Sequence, residues 1–351
     1  MKRILLRTGL VLVGLAVAVW VTDRVLSALD PYGSLAQAEN SRLYREEFVQ
    51  IDLASDRLFR HKPDFELEMR GFELRTNELG LRNEPIVRPK PTDERRILFL
   101  GDSVTFGWGV DAEDAFCGQL PPLLHERFGG SWTAINAGHL LHDTTQEAAV
   151  LEELGEACEP DLVCVVFVDN DVVLTRQAQQ ASAKAKVPAD EAAEPAEVDP
   201  SVAKLKAWNR RLLKIQEPLP GIHSVLSHWI LKNSALEGMG SRAHAKAFGL
   251  STDEGWVASS RALLQVQAWC QERGLPFVLL NTLPGGPLEE KVSKLAREHG
   301  IDYGIIAPTE EQRRQDIVNS PADAHPNRLG HTYLAEAILE VFATLGVADK
   351  L

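Results

Sequence analysis

The spacing of apolar residues predicts short buried strands that alternate with amphipathic helices over residues 95–347. Apolar runs typical of strands occur at Ile97–Leu100, Trp132–Asn136, Leu162–Val168 and Phe277–Leu280. Helical spacing is found over Phe116–Phe128, Glu147–Gly155, Val257–Arg273, Glu289–His299 and after Pro326. This alternation predicts an α/β fold in which helices cover both faces of a parallel sheet.

The first 29 residues combine a basic end with a long apolar run. Lys2, Arg3 and Arg7 are the basic residues. The length of the run Ile4–Val21 is near the lower limit for a membrane-spanning helix, which usually needs about 20 residues. We expect residues 1–29 to form an uncleaved signal anchor, with a signal peptide cleaved near Ala16–Ala18 as the alternative. The basic residues predict that the amino terminus stays inside and the body of the chain lies outside.

Two further segments are distinguished by composition. Residues 30–94 are expected to form a juxtamembrane helix and loop, then a small strand–turn segment and a proline-rich linker, so residues 95–351 form the main domain. Within it, Gln177–Pro200 is rich in Ala, Glu, Lys and Pro and has the composition of a solvated linker. Helical periodicity follows, so an insertion is predicted at about 177–250. It is either a decorating helical pair or a lid over a site.

Charge and cysteine content narrow the possible functions. With 37 basic and 50 acidic residues, the formal charge is −13, which disfavours nucleic-acid binding. None of the four cysteines lies in a C-x-x-C pair, so zinc and redox motifs find no support. We expect the cysteines to be small core residues, with a disulfide as the open alternative. His139 and His142 could line a groove, but they lack metal-ligand spacing.

Two distant segments supply the parts of a nucleophilic site. Gly101-Asp102-Ser103 follows the Ile97–Leu100 strand, which predicts a serine hydroxyl at the carboxyl edge of the sheet. An ordinary turn would use the same residue types. His325 precedes the terminal helix, with Asp323 two residues before it. A serine needs a base to become a nucleophile, and the base needs an orienting group.

Two other strand ends carry groups that could stabilise an oxyanion. The Trp132–Asn136 strand ends at Gly138, and the Leu162–Val168 strand ends at Asn170. Preorganised N–H donors stabilise the oxyanion of a tetrahedral intermediate. The N–H groups of Ser103 and Gly138, together with the Asn170 side chain, would supply three such donors.

These four segments resemble, in order, the four sequence blocks of the SGNH (GDSL-type) hydrolases over residues 95–347. The wording Gly101-Asp102-Ser103-Val104-Thr105-Phe106-Gly107-Trp108-Gly109-Val110 is similar to that of membrane-anchored bacterial members, where a piece like Thr76–Arg82 commonly precedes the catalytic domain. The resemblance implies a flavodoxin-like sheet and a Ser-His-Asp triad. Ser103 would be the nucleophile, His325 the base and Asp323 its partner. Gly138 and Asn170 would be oxyanion donors.

One position departs from the family pattern. Many members place the acid three residues before the histidine, where this chain has Ala322. The acid is therefore assigned to Asp323, and a backbone carbonyl that orients His325 is the alternative.

The combined expectation is a serine ester hydrolase that needs no cofactor or metal. It would be a single-pass protein of the bacterial inner membrane with a periplasmic catalytic domain. The expected substrates are O-acyl groups of an envelope polysaccharide, which the enzyme would hydrolyse or transfer. A lipase or lysophospholipase is the nearest alternative, and a non-catalytic envelope scaffold with a hydrolase fold is the other.

Overall fold

The computed structural model describes residues 2–172, 214–232 and 253–351. The predicted linker Gln177–Pro200 and most of the predicted insertion therefore lie outside the described residues. The described helices of eight or more residues are α1 (Lys2–Leu29), α2 (Ser34–Leu43), α4 (Phe116–Phe128), α5 (Thr144–Cys158), α6 (Pro220–Lys232), α7 (Asp253–Glu272), α8 (Pro287–His299) and α10 (Arg328–Leu345). Shorter helices are α3 (Ser103–Phe106), α9 (Glu310–Arg313) and α11 (Val347–Lys350).

A five-stranded parallel sheet forms the centre of the larger unit. Its strands are β5 (Glu94–Gly101), β6 (Ser131–Asn136), β7 (Leu162–Phe167), β8 (Phe277–Asn281) and β9 (Asp302–Ile305). Their spatial order is β6-β5-β7-β8-β9, and every neighbouring pair is parallel. Numbered within the sheet this is the order 2-1-3-4-5, the flavodoxin-like arrangement. The predicted fold class is confirmed.

The sheet is buried on both faces because its apolar residues point alternately to two cores. Along β5, Leu98 and Leu100 belong to one hydrophobic cluster, with residues of α5, α7 and α8. Ile97 and Phe99 belong to the other, with residues of α4 and α10. The four cysteines are buried free thiols within these clusters, as the sequence predicted for core residues.

Residues 43–94 belong to the same compact unit as the sheet, whose described residues are 43–172, 253–319 and 325–351. This differs from the predicted boundary near residue 94. The segment also contains two antiparallel hairpins rather than a helix and loop throughout, β1 (Val49–Asp52) with β2 (Leu58–His61) and β3 (Glu66–Glu68) with β4 (Glu73–Arg75). Its aromatic residues share a hydrophobic cluster with Phe106, Trp108 and Leu140, so it is packed rather than extended.

The second unit contains residues 2–42, 214–232 and 320–324 among those described. Helix α1 includes the stretch Arg7–Leu29, which is long and apolar enough to cross a membrane. Its carboxyl-terminal part packs on α6, where the Asp23 carboxylate accepts a hydrogen bond from Ile222 N (3.0 Å). A Cβ atom on Gly221 would lie 2.5 Å from Asp23 O, so glycine is required for this close approach.

Candidate active site

The structure brings the two predicted reactive side chains together at the carboxyl edge of the sheet. Ser103 begins α3 directly after β5, and His325 lies in the short strand β11 (Asp323–Pro326) that precedes α10. The His325 Nε2 and Ser103 Oγ atoms are 2.9 Å apart. This is hydrogen-bond distance, which a general base needs in order to take the serine proton. Ser103 is buried and His325 is half-buried.

The site lies where the strand order of the sheet reverses. Strand β5 has β6 on one side and β7 on the other. The chain passes from β5 to β6 in one direction across the sheet, and then returns past β5 to β7. Ser103 follows β5 and Asn170 follows β7, so both lie beside this reversal. Ligands of open α/β sheets bind in the crevice at such a point. Ser103 and Asn170 therefore lie at the edge of the sheet where ligands of such folds bind.

Asp102 caps α3. Its carboxylate accepts hydrogen bonds from Val104 N (2.9 Å) and Asn170 Nδ2 (2.9 Å). It also lies 3.2 Å from Ser103 Oγ, so Asp102 and His325 are alternative acceptors for the single proton of the Ser103 hydroxyl. Burial raises the pKa of Asp102 above its ordinary value, while the hydrogen bonds from Val104 and Asn170 act in the opposite direction. These contacts agree with a turn-capping role for Asp102 rather than the role of the catalytic acid.

Two of the three predicted oxyanion donors, Gly138 and Asn170, each have a hydrogen-bond partner. Asn170 uses one N–H of its amide for Asp102, and a carboxamide has two. The Gly138 N–H donates to Asn136 Oδ1 (3.0 Å). Gly138 also backs onto α3, because an added Cβ would lie 2.3 Å from Phe106 N. The position therefore requires glycine for packing, whatever its part in catalysis.

Asp323 is buried, with 6% of its surface exposed, in the strand that carries His325. Asp323 precedes His325 by two residues. The position three residues before His325 is Ala322, which has no carboxylate.

Two buried acidic residues, Glu147 and Asp171, lie close enough to Asp102 to interact with its charge. Both carboxylate oxygens of Glu147 are buried and without a hydrogen-bond partner among the described residues, as is Asp171 Oδ1. The other Asp171 oxygen accepts from Val168 N (2.8 Å). Burial first, and then the charges of Asp171 and Asp102, raise the pKa of Glu147 well above its ordinary value. Burial likewise raises the pKa of Asp171.

His139 and His142 do not line an open groove. Both are buried, and their rings stack on each other with centroids 4.5 Å apart, while His61 stacks on the other face of His139 at 4.0 Å. His139 Nδ1 donates to Ala137 O (3.0 Å), and its Nε2 accepts from Arg57 Nη2 (2.8 Å), so the ring is neutral. Burial lowers the pKa of His139 well below its ordinary value.

Arg82 and Asn83, from the segment before the sheet, contact the surroundings of the site and were not predicted from the sequence. Arg82 is buried and donates to four backbone carbonyls, three of which belong to the loop after Ser103. Asn83 bonds the edge strand β6, and Asn136 at the end of that strand bonds Gly138. The sequence offers one clue, since Asn and Asp at strand ends commonly bond the backbone two residues further on. Nothing in the sequence distinguishes the buried Arg82 from a surface arginine.

The described residues contain no group of three His, Cys, Asp or Glu side chains with the geometry to hold a metal ion.

No protein-family model and no curated protein matches the sequence. Among solved structures, TesA is 14% identical over 72% of this chain and 99% of its own, with a TM-score of 0.42. An acetylxylan esterase from Geobacillus stearothermophilus is 16% identical over 70% of this chain and 93% of its own, with a TM-score of 0.37. A GDSL-like lipase from Bacteroides thetaiotaomicron is 12% identical over 74% and 93%, with a TM-score of 0.36.

Proposed function

We propose that this chain is a serine ester hydrolase of the SGNH type. The observation that carries the proposal is the 2.9 Å separation of Ser103 Oγ and His325 Nε2 at the topological switch point of the sheet. A serine that only forms a turn does not require a contact with a histidine 222 residues away in sequence. A nucleophile and base within hydrogen-bond reach have the arrangement that covalent acyl transfer requires.

In the proposed reaction, Ser103 Oγ attacks the ester carbonyl while His325 takes the serine proton. His325 then protonates the departing alcohol, and water attacks the acyl-enzyme with His325 again acting as base. Asp323 is the proposed partner that orients the His325 ring, since it is a carboxylate two residues before His325. If an alcohol replaces water in the second step, the same site performs acyl transfer.

The oxyanion is assigned to the N–H groups of Ser103 and Gly138 and to the second N–H of Asn170. The Gly138 N–H would have to be shared with Asn136 Oδ1, whereas the Asn170 amide has an uncommitted proton after its bond to Asp102. Asn170 is therefore the donor from which we expect the larger contribution.

O-acyl groups of an envelope polysaccharide are the proposed substrates. Support comes from helix α1, whose apolar side chains from Leu10 to Val21 are exposed, and from the basic residues before it. An anchor with that charge pattern would hold the site on the outer side of the bacterial inner membrane, where such polymers are found. A lipase or lysophospholipase would use the same site from the same position. A non-catalytic scaffold would not need the Ser103–His325 pair.

A fluorophosphonate probe on the full chain in detergent tests the chemistry. We expect covalent labelling at Ser103, abolished by Ser103→Ala and strongly slowed by His325→Ala. Ser131→Ala, which removes an exposed serine at the start of β6, is the matched control and should label like the wild type. A folded wild-type chain that takes no label would favour the scaffold.

The substrate class needs a separate assay. Release of acetate from an O-acetylated polysaccharide, compared with release of fatty acid from a lysophospholipid, distinguishes the two enzymatic alternatives. Higher kcat/KM on the lysophospholipid would replace the polysaccharide assignment without affecting the serine mechanism.

A further inference from the structure

Arg82 is a fully buried guanidinium whose acceptors are backbone carbonyls. Its Nη1 donates to Phe106 O (2.9 Å) and Gly107 O (2.6 Å), and its Nη2 donates to Val110 O (2.5 Å) and Glu73 O (2.9 Å). Burial lowers the pKa of Arg82 to about 10, so the side chain remains charged at neutral pH. Burying a charge is costly unless its bonds are satisfied, which favours a specific role for this residue over a general gain in stability.

Three of these carbonyls, those of Phe106, Gly107 and Val110, belong to the end of α3 and the turn that follows it. The Ser103 carbonyl accepts from Gly107 N and Trp108 N (both 3.1 Å), so Arg82 is one hydrogen-bonded turn away from Ser103. The turn depends on Gly107, which has a positive φ of 78° and caps α3. The Arg82 guanidinium also lies over the Phe106 ring, 5.0 Å from its centroid. The carboxyl end of α3 is therefore fixed by Arg82.

Asn83, the next residue, holds the other wall of the site. It pairs with the edge strand β6 as a neighbouring strand would, donating to Ala134 O (3.1 Å) and accepting from Asn136 N (2.6 Å). The Asn136 side chain then accepts from Gly138 N (3.0 Å) and donates to Phe106 O (3.3 Å). That carbonyl is also an Arg82 acceptor, so the two residues act on one connected set of hydrogen bonds.

We propose that Arg82 and Asn83 are positioning residues that fix the Ser103 helix and the Gly138 turn relative to each other. This inference rests on the proposed function, because it assigns the two residues to the geometry of attack and oxyanion stabilisation. Gly138 packs so closely on Phe106 N that a shift of either element displaces the other. Arg82 and Asn83, which lie outside the four sequence blocks, would thus position the groups that take part in the reaction.

Arg96 provides a matched control. It is equally buried and donates to the backbone carbonyls of Val87 (2.6 Å) and Cys158 (3.3 Å) and to the Glu94 carboxylate. It lies near the amino end of β5, whereas Ser103 follows the carboxyl end. Arg96→Met therefore removes a buried guanidinium from the same unit without touching the site.

The experiment measures fluorophosphonate labelling and ester hydrolysis by the full chain, well below each variant's melting temperature. We expect Arg82→Met to lower the labelling rate and kcat by about 10- to 100-fold, with KM changed by less than about threefold, since small misplacements of reacting groups have effects of this size. Arg82→Lys should regain part of the loss, because it restores the charge but not the planar fork. Arg96→Met should lose stability while its folded fraction labels at the wild-type rate.

A second variant and a second readout keep the test decisive if Arg82→Met does not fold. Asn83→Ala removes a neutral side chain and should also slow labelling, with faster amide hydrogen exchange in 103–110 and 136–140 than in Arg96→Met. Wild-type labelling rates in both Arg82→Met and Asn83→Ala would overturn the positioning role alone. A wild-type chain that takes no label would instead overturn the proposed function, and with it the catalytic meaning of these contacts.

Discussion

At the scale of single residues, the candidate site contains side chains proposed to react and side chains that hold them in place. Asp102 is adjacent to Ser103 in sequence, and its carboxylate accepts hydrogen bonds from Val104 N and Asn170 Nδ2. Asn170 is held by that carboxylate with one amide proton to spare. A residue's distance from Ser103 along the chain is therefore a poor guide to its chemical role.

Asn170→Ala should lower kcat by about 10²–10³-fold, the usual effect of removing one oxyanion donor, with a smaller change in KM. The matched control is Asn281→Ala at the end of β8, whose amide instead bonds Tyr303 Oη (2.8 Å) and Leu283 N (3.0 Å). Steady-state ester hydrolysis at pH 8 is the measurement. Equal losses in the two variants would indicate a general loss of structure and contradict a specific role for Asn170.

Glu147→Gln should change how the stability of the chain depends on pH. The folded-state pKa of Glu147 is raised by burial and by the charges of Asp171 and Asp102, against about 4.3 in an unfolded chain. The folded chain therefore binds this proton more tightly than the unfolded chain does, and proton binding stabilises the fold. This contribution to the unfolding free energy is fully present below about pH 4 and is lost as the pH rises toward the folded-state pKa. Glutamine stays neutral, so the variant should gain on the wild type as pH rises from 4 to 8.

We expect a gain in unfolding free energy on the order of 1 kcal/mol at pH 8, comparable to the cost of an unsatisfied buried polar group. Denaturant unfolding at several pH values measures it. The exposed Glu126→Gln on α4 is the control and should show no such trend. A difference between Glu147→Gln and wild type that is constant over this pH range would contradict the expectation.

At the scale of elements, the apolar runs predicted β5, β6, β7 and β8 because each strand contains apolar residues that are buried in the core. The hairpins of residues 49–75 were not predicted. Strands such as Val49–Asp52 are only four residues long and are partly exposed, and the hydrophobic cluster of their segment includes Phe106 and Leu140, which are distant in sequence. The positions of Ser103 and His325 were predictable from local patterns. The contacts of Arg82 were not, because a buried charge requires tertiary acceptors.

Gly138→Ala tests the contact between the Gly138 turn and α3. The new Cβ would lie 2.3 Å from Phe106 N and 2.7 Å from Thr105 C, so one element must move. We expect activity to fall by about tenfold or more, with a measurable loss of stability, because backbone cannot yield as a side chain can. Melting temperature and labelling rate are the measurements.

Gly304→Ala is the comparison for that variant. Its Cβ would meet Val341 Cγ1 at the same 2.3 Å, but on β9 at the opposite edge of the sheet from β6. It should lose stability and keep the labelling rate of its folded fraction. Full activity in Gly138→Ala would contradict the packing that the structure assigns to this turn.

At the scale of the whole molecule, the amino-terminal helix α1 would determine on which side of a membrane the proposed reaction takes place. The apolar side chains from Leu10 to Val21 are exposed, as expected for a surface that contacts lipid. The character of α1 changes at Asp23, which is buried and bonded to Ile222 N of α6. If α1 crosses a membrane, we expect the lipid-embedded part to end before Asp23, where α1 contacts α6.

We predict an amino terminus in the cytoplasm and a carboxyl terminus in the periplasm, because Lys2 and Arg3 precede the apolar run, Arg7 lies near its start, and basic residues are retained inside. Alkaline phosphatase fused to the carboxyl terminus should be active, and a fluorescent reporter that folds only in the cytoplasm should be dark there. Replacing the three basic residues with Glu should weaken this asymmetry. Intact mass of the membrane fraction separates an anchor, which retains residues 1–18, from a signal peptide, which loses them. An inactive phosphatase together with a fluorescent cytoplasmic reporter would place the site inside the cell and remove the argument for an envelope polysaccharide. The Ser103–His325 pair would still indicate an ester substrate.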